Sequence, residues 1–297
     1  MPTYTTFNPD SDIVIRTEKV FTNTWSSLIG SEMDDFTEFG DQDVSNPASP
    51  TASEAFFYNV FDSSGTDAEV QFSVSYGNKV GSGSVPYTDD DIGYTPSRSV
   101  YGQYRSLVYG DETRNFVFND TEPDDIIIIN IARTAYKQSL RLASLKLVTG
   151  DGTFTDDSKT NSGSAVLTNL GRQFKVVKAA TGTDFVGGEA DGDGLLNSEL
   201  PGFFYPDAGL IILNCNALSS VATPTQENNF IHKAFISGMT SFTLDTQENI
   251  SSQYYFVRAK NGEFNYSTNP SFIDANGNLM FTSMIDNPRT YITTVGL

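Results

Sequence analysis

The sequence predicts a mainly β protein with a few helices (α+β), organised as antiparallel β-sandwich-like lobes. Three observations predict this fold class. Residues 69–76 alternate strictly between polar and apolar side chains, which is typical of a strand with one buried face. Shorter β-rich runs are separated by Gly, Asn, Asp and Ser, which mark turns. Two stretches carry the spacing of an amphipathic helix.

The other predicted strands are short and bounded by turn residues. They lie at residues 56–61, 115–118, 125–131, 174–177, 210–213, 230–236, 254–259 and 290–295. Aromatic residues should supply much of the core, because 22 Phe and 14 Tyr accompany a hydrophobic fraction of only 38%. Each of these rings can bury on the order of 150–250 Å².

Two helices are predicted, near residues 96–109 and 131–141. The first follows Thr95, has a proline in its first turn and ends at Gly110. Its predicted apolar face is Val100, Tyr104, Leu107 and Val108. The second follows Asn130 as a possible cap, and its predicted apolar face is Ala132, Ala135, Tyr136 and Leu140.

Composition divides the chain into three expected parts. Residues 1–55 are predicted to be an extended acidic N-terminal arm or loop, 56–150 an α+β lobe and 151–297 a β-rich lobe. Residues 26–55 can bury little apolar surface alone, so they are either a solvated loop or an arm ordered by a neighbouring subunit. The chain stops at Leu297 just after a strand pattern, so we expect a truncated C-terminal hairpin or a strand that pairs with another chain.

Charge and residue counts exclude several function classes. A net charge of −19 argues against nucleic-acid binding, which needs a basic face. No apolar run approaches the roughly 20 residues of a membrane span. The one cysteine, Cys215, is expected to be a small buried hydrophobe, and the one histidine, His232, a structural or surface residue. Without a nucleophile elbow or a phosphate loop, the sequence predicts no enzyme and no cofactor.

The best candidate for a metal site is an acidic, glycine-containing segment that resembles a calcium loop. Its possible ligands are Glu189, Asp191, Asp193, Asn197 and Glu199. The first position is Glu instead of Asp, and the last acid falls one place early. A surface turn is therefore the favoured interpretation, and no bound metal is predicted.

Four segments resemble a family of virion structural proteins from contractile-tailed phages of marine cyanobacteria. They are SVYGQYRSLV at 99–108 with the following 116–118, DDIIIINIAR at 124–133, FYPDAGLIILN at 204–214 and YFVRAKNGEFNYSTNP at 255–270. The final YITTVGL, residues 291–297, is similar to a strand-turn element of tail-collar and baseplate-attached fibre domains.

The resemblance implies a tail or baseplate component of the virion, assembled in the cytoplasm of the bacterial host. Its partners would be other tail or baseplate proteins, with a homo-oligomer left open. Expected interface residues are Arg258 and Lys260, which equally fit a solvated surface, and the terminal residues Tyr291, Ile292 and Val295. A neck or collar connector is one alternative.

A glycan-binding or depolymerising tail module is the other alternative, because exposed aromatic rings can stack on sugars. The candidate rings are Tyr101, Tyr104 and Tyr109, or Phe203, Phe204 and Tyr205.

Overall fold

The computed structural model describes residues 8–29, 57–61, 69–82, 95–159, 165–179, 187–188, 200–218, 235–236, 238–256, 269–282 and 285. Its helices are α1 (Pro9–Asp12) and α2 (Pro96–Tyr109), with short 3-10 helices at Arg133–Ala135 and Cys215–Leu218. The first six strands are β1 (Ile13–Ile29), β2 (Tyr58–Phe61), β3 (Val70–Asn78), β4 (Asp125–Ile131), β5 (Ser139–Leu140) and β6 (Lys146–Thr149). The others are β7 (Gly152–Asp156), β8 (Val166–Thr168), β9 (Gly171–Lys178), β10 (Gly202–Tyr205), β11 (Leu210–Asn214) and β12 (Met239–Tyr255).

These strands form a single sheet, which confirms the predicted mainly β, α+β fold class. The strand order is β1-β12-β6-β7-β9-β10-β11-β4-β3-β2, while β5 pairs with β12 and β8 with β9. Neighbouring strands from β12 to β2 run antiparallel. Short turns join β6 to β7 and β10 to β11, whereas β12 pairs with β6 and β11 with β4 across long stretches of sequence.

The main core is enclosed by one sheet that folds over on itself. Phe72 of β3 and Phe242 of β12 meet edge to face with ring centroids 5.1 Å apart, although six strands lie between β3 and β12 in the sheet order. Both rings are fully buried among the inward-facing residues of the other strands. The contact between them therefore links distant parts of the sheet across the core.

A second core lies between α2 and the other face of β4, β10 and β11. In β4, Ile127 and Ile129 point into the main core, while Ile126 and Ile128 point into the second. β11 divides in the same way, with Ile211 on the main side and Ile212 on the α2 side. These strands are buried on both faces, which explains why they read as continuous apolar runs.

Helix α2 confirms the first predicted helix, with one change in its buried face. Gly110 ends it in the left-handed conformation, and its N–H donates to the Ser106 carbonyl. Tyr101 is 1% exposed and belongs to the face that packs on the sheet, whereas Leu107 is 48% exposed. The prediction that Leu107 lies on the buried face was therefore wrong.

The second predicted helix, at residues 131–141, was wrong. The chain forms only the 3-10 turn Arg133–Ala135 and then the short strand β5. Leu140 N donates to the Pro206 carbonyl, and Arg141 N donates to the Asp245 carbonyl. Leu140 is also fully buried in the main core. Pairing with neighbouring segments satisfies the backbone and overrides the local helical spacing.

The predicted lobe boundary at residues 150 and 151 falls inside the hairpin of β6 and β7, where Thr149 pairs with Gly152. The chain instead divides into one compact unit of residues 19–249 and another of residues 1–18 and 250–297. Residues 13–29, assigned from sequence to the acidic arm, form β1. Residues 8–12 of that predicted arm, 1–55, are also described and include α1, whereas residues 1–7 and 30–55 lie outside the described residues.

We predict that Phe242→Ala will destabilise the protein by about 3–5 kcal/mol, because it removes a buried ring and leaves a cavity in the main core. Urea unfolding followed by circular dichroism measures the effect. Leu167→Ala on β8, where the side chain is 80% exposed, is the control and should change stability by less than about 0.5 kcal/mol. Similar small losses in both variants would contradict the closure of the sheet at Phe242.

Candidate interaction surface

The most unusual surface of the described chain is the outer strand β1. β1 ends the sheet order, with β12 as its neighbour. β-branched residues are frequent at its start, which favours an extended strand. Every residue from Val14 to Phe21 is exposed, although the Arg141 guanidinium lies 4.3 Å from the Phe21 ring centroid. A long, uncovered edge strand is a template for pairing with another chain.

The start of β1 is fixed by a short capping structure. The Asn8 side-chain oxygen accepts a hydrogen bond from Asp10 N, and Asn8 N donates to the Asp12 carboxylate. Phe256 N, just after β12, donates to the Asp12 carbonyl. Because the beginning of β1 meets the end of β12, the two strands run antiparallel.

The exposed stretch of β1 combines apolar and charged side chains. Val14, Ile15, Val20 and Phe21 are each between 39% and 62% exposed. Arg16 Nε lies 3.0 Å from Glu18 Oε1, and both side chains are largely in water. Such an exposed pair contributes under about 1 kcal/mol to folding. The exposed apolar side chains and the Arg16–Glu18 pair stabilise the isolated chain little, and covering them with a partner would stabilise the complex more.

Strand β12 changes character along its length. From Met239 to Thr246 its residues alternate between buried and more exposed positions, as expected for a strand on the main core. From residue 249 onward almost every residue is exposed, including Ile250 and Tyr254. The last residues of β12 therefore add further uncovered apolar surface.

The metal-ligand and interface residues predicted from sequence lie outside the described residues. This holds for the calcium-loop candidates Glu189, Asp191, Asp193, Asn197 and Glu199, for His232, and for the interface candidates Arg258, Lys260, Tyr291, Ile292 and Val295. Across the described ranges, no group of three or more His, Cys, Asp or Glu side chains is placed to hold a metal ion.

Cys215 is buried in the main core, which confirms its predicted role as a small hydrophobe. Burial raises the pKa of its thiol well above the ordinary value. The thiolate, which is the reactive form, is therefore strongly disfavoured.

The aromatic residues considered for glycan stacking are mostly core residues. Tyr101, Tyr104, Phe203, Phe204 and Tyr205 are all at most 9% exposed. Tyr109 is half-buried, and the Arg114 guanidinium lies 4.2 Å from its ring centroid. Four of the five buried side chains pack in the second core and Phe204 packs in the main core, so a sugar ring cannot stack on them without disrupting a core.

A buried polar cluster lies where β3 and β4 leave the core. Tyr76 Oη donates to Asp125 Oδ1, and Asn78 Nδ2 donates to the same oxygen over 2.6 Å. Asn78 Oδ1 in turn accepts from the backbone N–H groups of residues 80, 81 and 82. Burial, followed by the hydrogen bond to Asp125, raises the pKa of Tyr76. The cluster supplies acceptors for the backbone N–H groups of the turn after β3 and keeps Tyr76 protonated, so its role is structural.

A buried carboxylate, Asp156, serves a similar purpose at the end of β7. Its oxygens accept hydrogen bonds from Ala143 N and Ser158 N at 3.1 to 3.2 Å. Ala143 has a φ of +60°, which places its N–H toward the carboxylate at some conformational cost. Burial raises the pKa of Asp156 despite these bonds.

Arg172 and Asp207 form a two-pronged ion pair between the β8–β9 and β10–β11 turns. Arg172 Nε and Nη2 donate to the two carboxylate oxygens over 3.0 and 2.6 Å, and Arg172 N adds a third bond of 2.9 Å. Gly171 makes room, because a Cβ there would lie 2.6 Å from Asp207 Oδ2. The bonds from Arg172 lower the pKa of Asp207.

Comparisons of the chain with protein-family models, with curated proteins and with solved structures found no match. In the part of the chain that the structure describes, no helix is long and apolar enough to cross a bilayer. The β1 surface was not among the sequence candidates. The available signal was the run of β-branched residues around Arg16 and Glu18, which the acidic composition of residues 1–55 obscured.

We predict that Asp207→Asn will destabilise the protein by about 1 kcal/mol at pH 7, a modest value because both side chains are about one-third exposed to water. Since folding lowers the pKa of Asp207, the stabilising effect is present above the unfolded pKa of about 3.9 and is lost as the pH falls through the folded pKa.

Urea unfolding at several pH values measures this difference, with the exposed turn variant Asp120→Asn as the matched control. The gap between wild type and Asp207→Asn should narrow in acid. A gap that is constant from neutral to strongly acidic pH would contradict the ion-pair explanation.

Proposed function

We propose that this chain is a structural protein of a phage virion, a component of the contractile-tail baseplate that acts by protein–protein assembly. The observation that carries the proposal is the uncovered β1 strand, whose apolar side chains and backbone edge are suited to a neighbouring subunit. The segments that resemble tail and baseplate proteins support the same class of function.

Three of the four resembling segments fold next to one another. Residues 99–108 lie in α2, 124–133 include β4, and 204–214 include β10 and β11. Together they build the second core. A resemblance concentrated in packing residues favours a shared scaffold and transfers no catalytic group, which agrees with a structural function.

Assembly would obtain its free energy from covering the exposed side chains. Fully burying one Val, Ile or Phe side chain contributes about 1.5–3 kcal/mol, so partial burial of Val14, Ile15, Val20 and Phe21 is a substantial driving force. New backbone hydrogen bonds along the strand edge would add direction and register. Ordering of the contacting segments would offset part of this gain.

Neck and baseplate locations require the same kinds of contact, so position in the particle separates them. We predict that mass spectrometry of purified particles of the encoding phage will detect the chain at a copy number comparable to that of known tail proteins. Antibodies against the chain should label the end of the tail distal to the capsid. Label at the capsid-proximal end would favour the neck connector, and absence from the particles would contradict both.

A further inference from the structure

We propose that two copies of this chain pair through the outer edge of β1, as antiparallel strands related by a two-fold axis at Thr17. This inference rests on the proposed assembly function and names one partner, a second copy of the chain. It combines the backbone direction of β1 with the order of the side chains between Ile13 and Phe21.

The backbone of β1 sets which residues face outward. The Asp12 carbonyl accepts from Phe256 N and so points toward β12. Because backbone groups alternate sides along a strand, the even-numbered residues from 14 to 20 bond toward β12. The odd-numbered residues, including Thr17, then direct their N–H and C=O groups to the outer edge. Two copies centred on Thr17 can therefore exchange hydrogen bonds at each odd-numbered residue.

The side chains in this register are complementary. With Thr17 opposite Thr17, Arg16 of each copy lies opposite Glu18 of the other, and Val14 lies opposite Val20. The even-numbered pairs occupy the positions without cross-strand hydrogen bonds, where Cα atoms are closest and side chains interact most. Ile13 lies opposite Phe21 on the other face. Val14, Val20 and Phe21, which are exposed, and the half-buried Ile13 thus gain an apolar neighbour on each copy, while Ile15 lies opposite Lys19.

The same charges disfavour the neighbouring registers. A slip of two residues places Arg16 opposite Arg16 or Glu18 opposite Glu18, and like charges directly opposite each other are destabilising. A slip of one residue places odd-numbered residues opposite even-numbered ones. Because the backbone groups of the even-numbered residues already bond to β12, the hydrogen bonds between the two copies would be lost. The Arg16–Glu18 pair within one copy is mostly solvated, so its charges are accessible to a second strand.

The test uses the full chain with two single substitutions and their mixture. Arg16→Glu places acids at both positions 16 and 18, and Glu18→Arg places arginines at both. Each variant alone should be monomeric, with a dimer dissociation constant at least about tenfold above that of the wild type, which we expect to be a dimer. An equimolar mixture should dimerise again, because each acid then faces an arginine of the other variant. Sedimentation velocity measures these masses.

Recovery of the dimer on mixing distinguishes a loss of strand pairing from a folding defect, since a misfolded variant would not dimerise in the mixture either. A mixture that remains monomeric overturns the proposal, as do single variants that dimerise like the wild type. A wild-type chain that is monomeric at about 100 μM also overturns it. A monomer that is nevertheless found in purified tails would leave the proposed virion function intact and identify a different protein as the partner of β1.

Cysteine substitutions test the register. Val14→Cys and Val20→Cys, mixed in equal amounts under mild oxidation, should give a disulfide-linked dimer on a non-reducing gel. Either variant alone should not, because position 14 faces position 20 and the native Cys215 is buried. Equal cross-linking of one variant with itself would overturn the axis at Thr17.

Discussion

The structure depends on three central strands, β4, β10 and β11, that are buried on both faces. Their side chains belong alternately to the main core and to the core beneath α2. A polar residue in the middle of these strands would be buried whichever way it pointed, so apolar residues are required at consecutive positions. The fully buried run Ile126–Ile129 meets this constraint. These strands form a layer, the wall between the two cores. One face of this wall closes the main core, and α2 packs on the other face.

Polar groups are placed where this wall ends. Asp125 precedes the isoleucine run and accepts from Tyr76 and Asn78, while Asn214 ends β11 and donates to the Leu200 carbonyl. Asp156 occupies the same kind of position at the end of β7. Buried polar side chains are tolerated here because each has a hydrogen-bond partner: Asp156 and Asn214 bond to backbone groups, and Asp125 bonds to the Tyr76 hydroxyl and the Asn78 amide. The buried polar clusters around Asp125, Asp156 and Asn214 therefore stabilise turns and strand ends. In the described chain, the exposed strand β1 is more informative about function than these clusters are.

How far the sequence predicted the fold depended on whether local pattern and tertiary environment agreed. β3, β4, β11 and α2 were predicted because their apolar spacing matches their burial. Residues 131–141 had helical spacing, but the backbone N–H of Leu140 donates to the Pro206 carbonyl and its side chain packs in the main core. β1 was missed because a strand exposed on both faces has no alternation to detect. Its exposed surface, which we propose as an interface, was missed for the same reason, while the metal-ligand and interface candidates named from sequence fall outside the described residues.

Net charge and local charge act differently on association of this chain. A formal charge of −19 makes two copies repel at long range, but in physiological salt that repulsion is screened beyond roughly 8 Å. Within that distance the relevant charges are those of the strand itself, and residues 13–21 hold two basic side chains and one acidic one. β1 is thus a place where another strand can approach an acidic protein without meeting a field of like charge. Added salt would weaken both the long-range repulsion between two copies and the short-range ion pairs between two strands. Apolar contacts and backbone hydrogen bonds must therefore supply most of the affinity of β1 for a partner strand, while the charges mainly set the register of pairing.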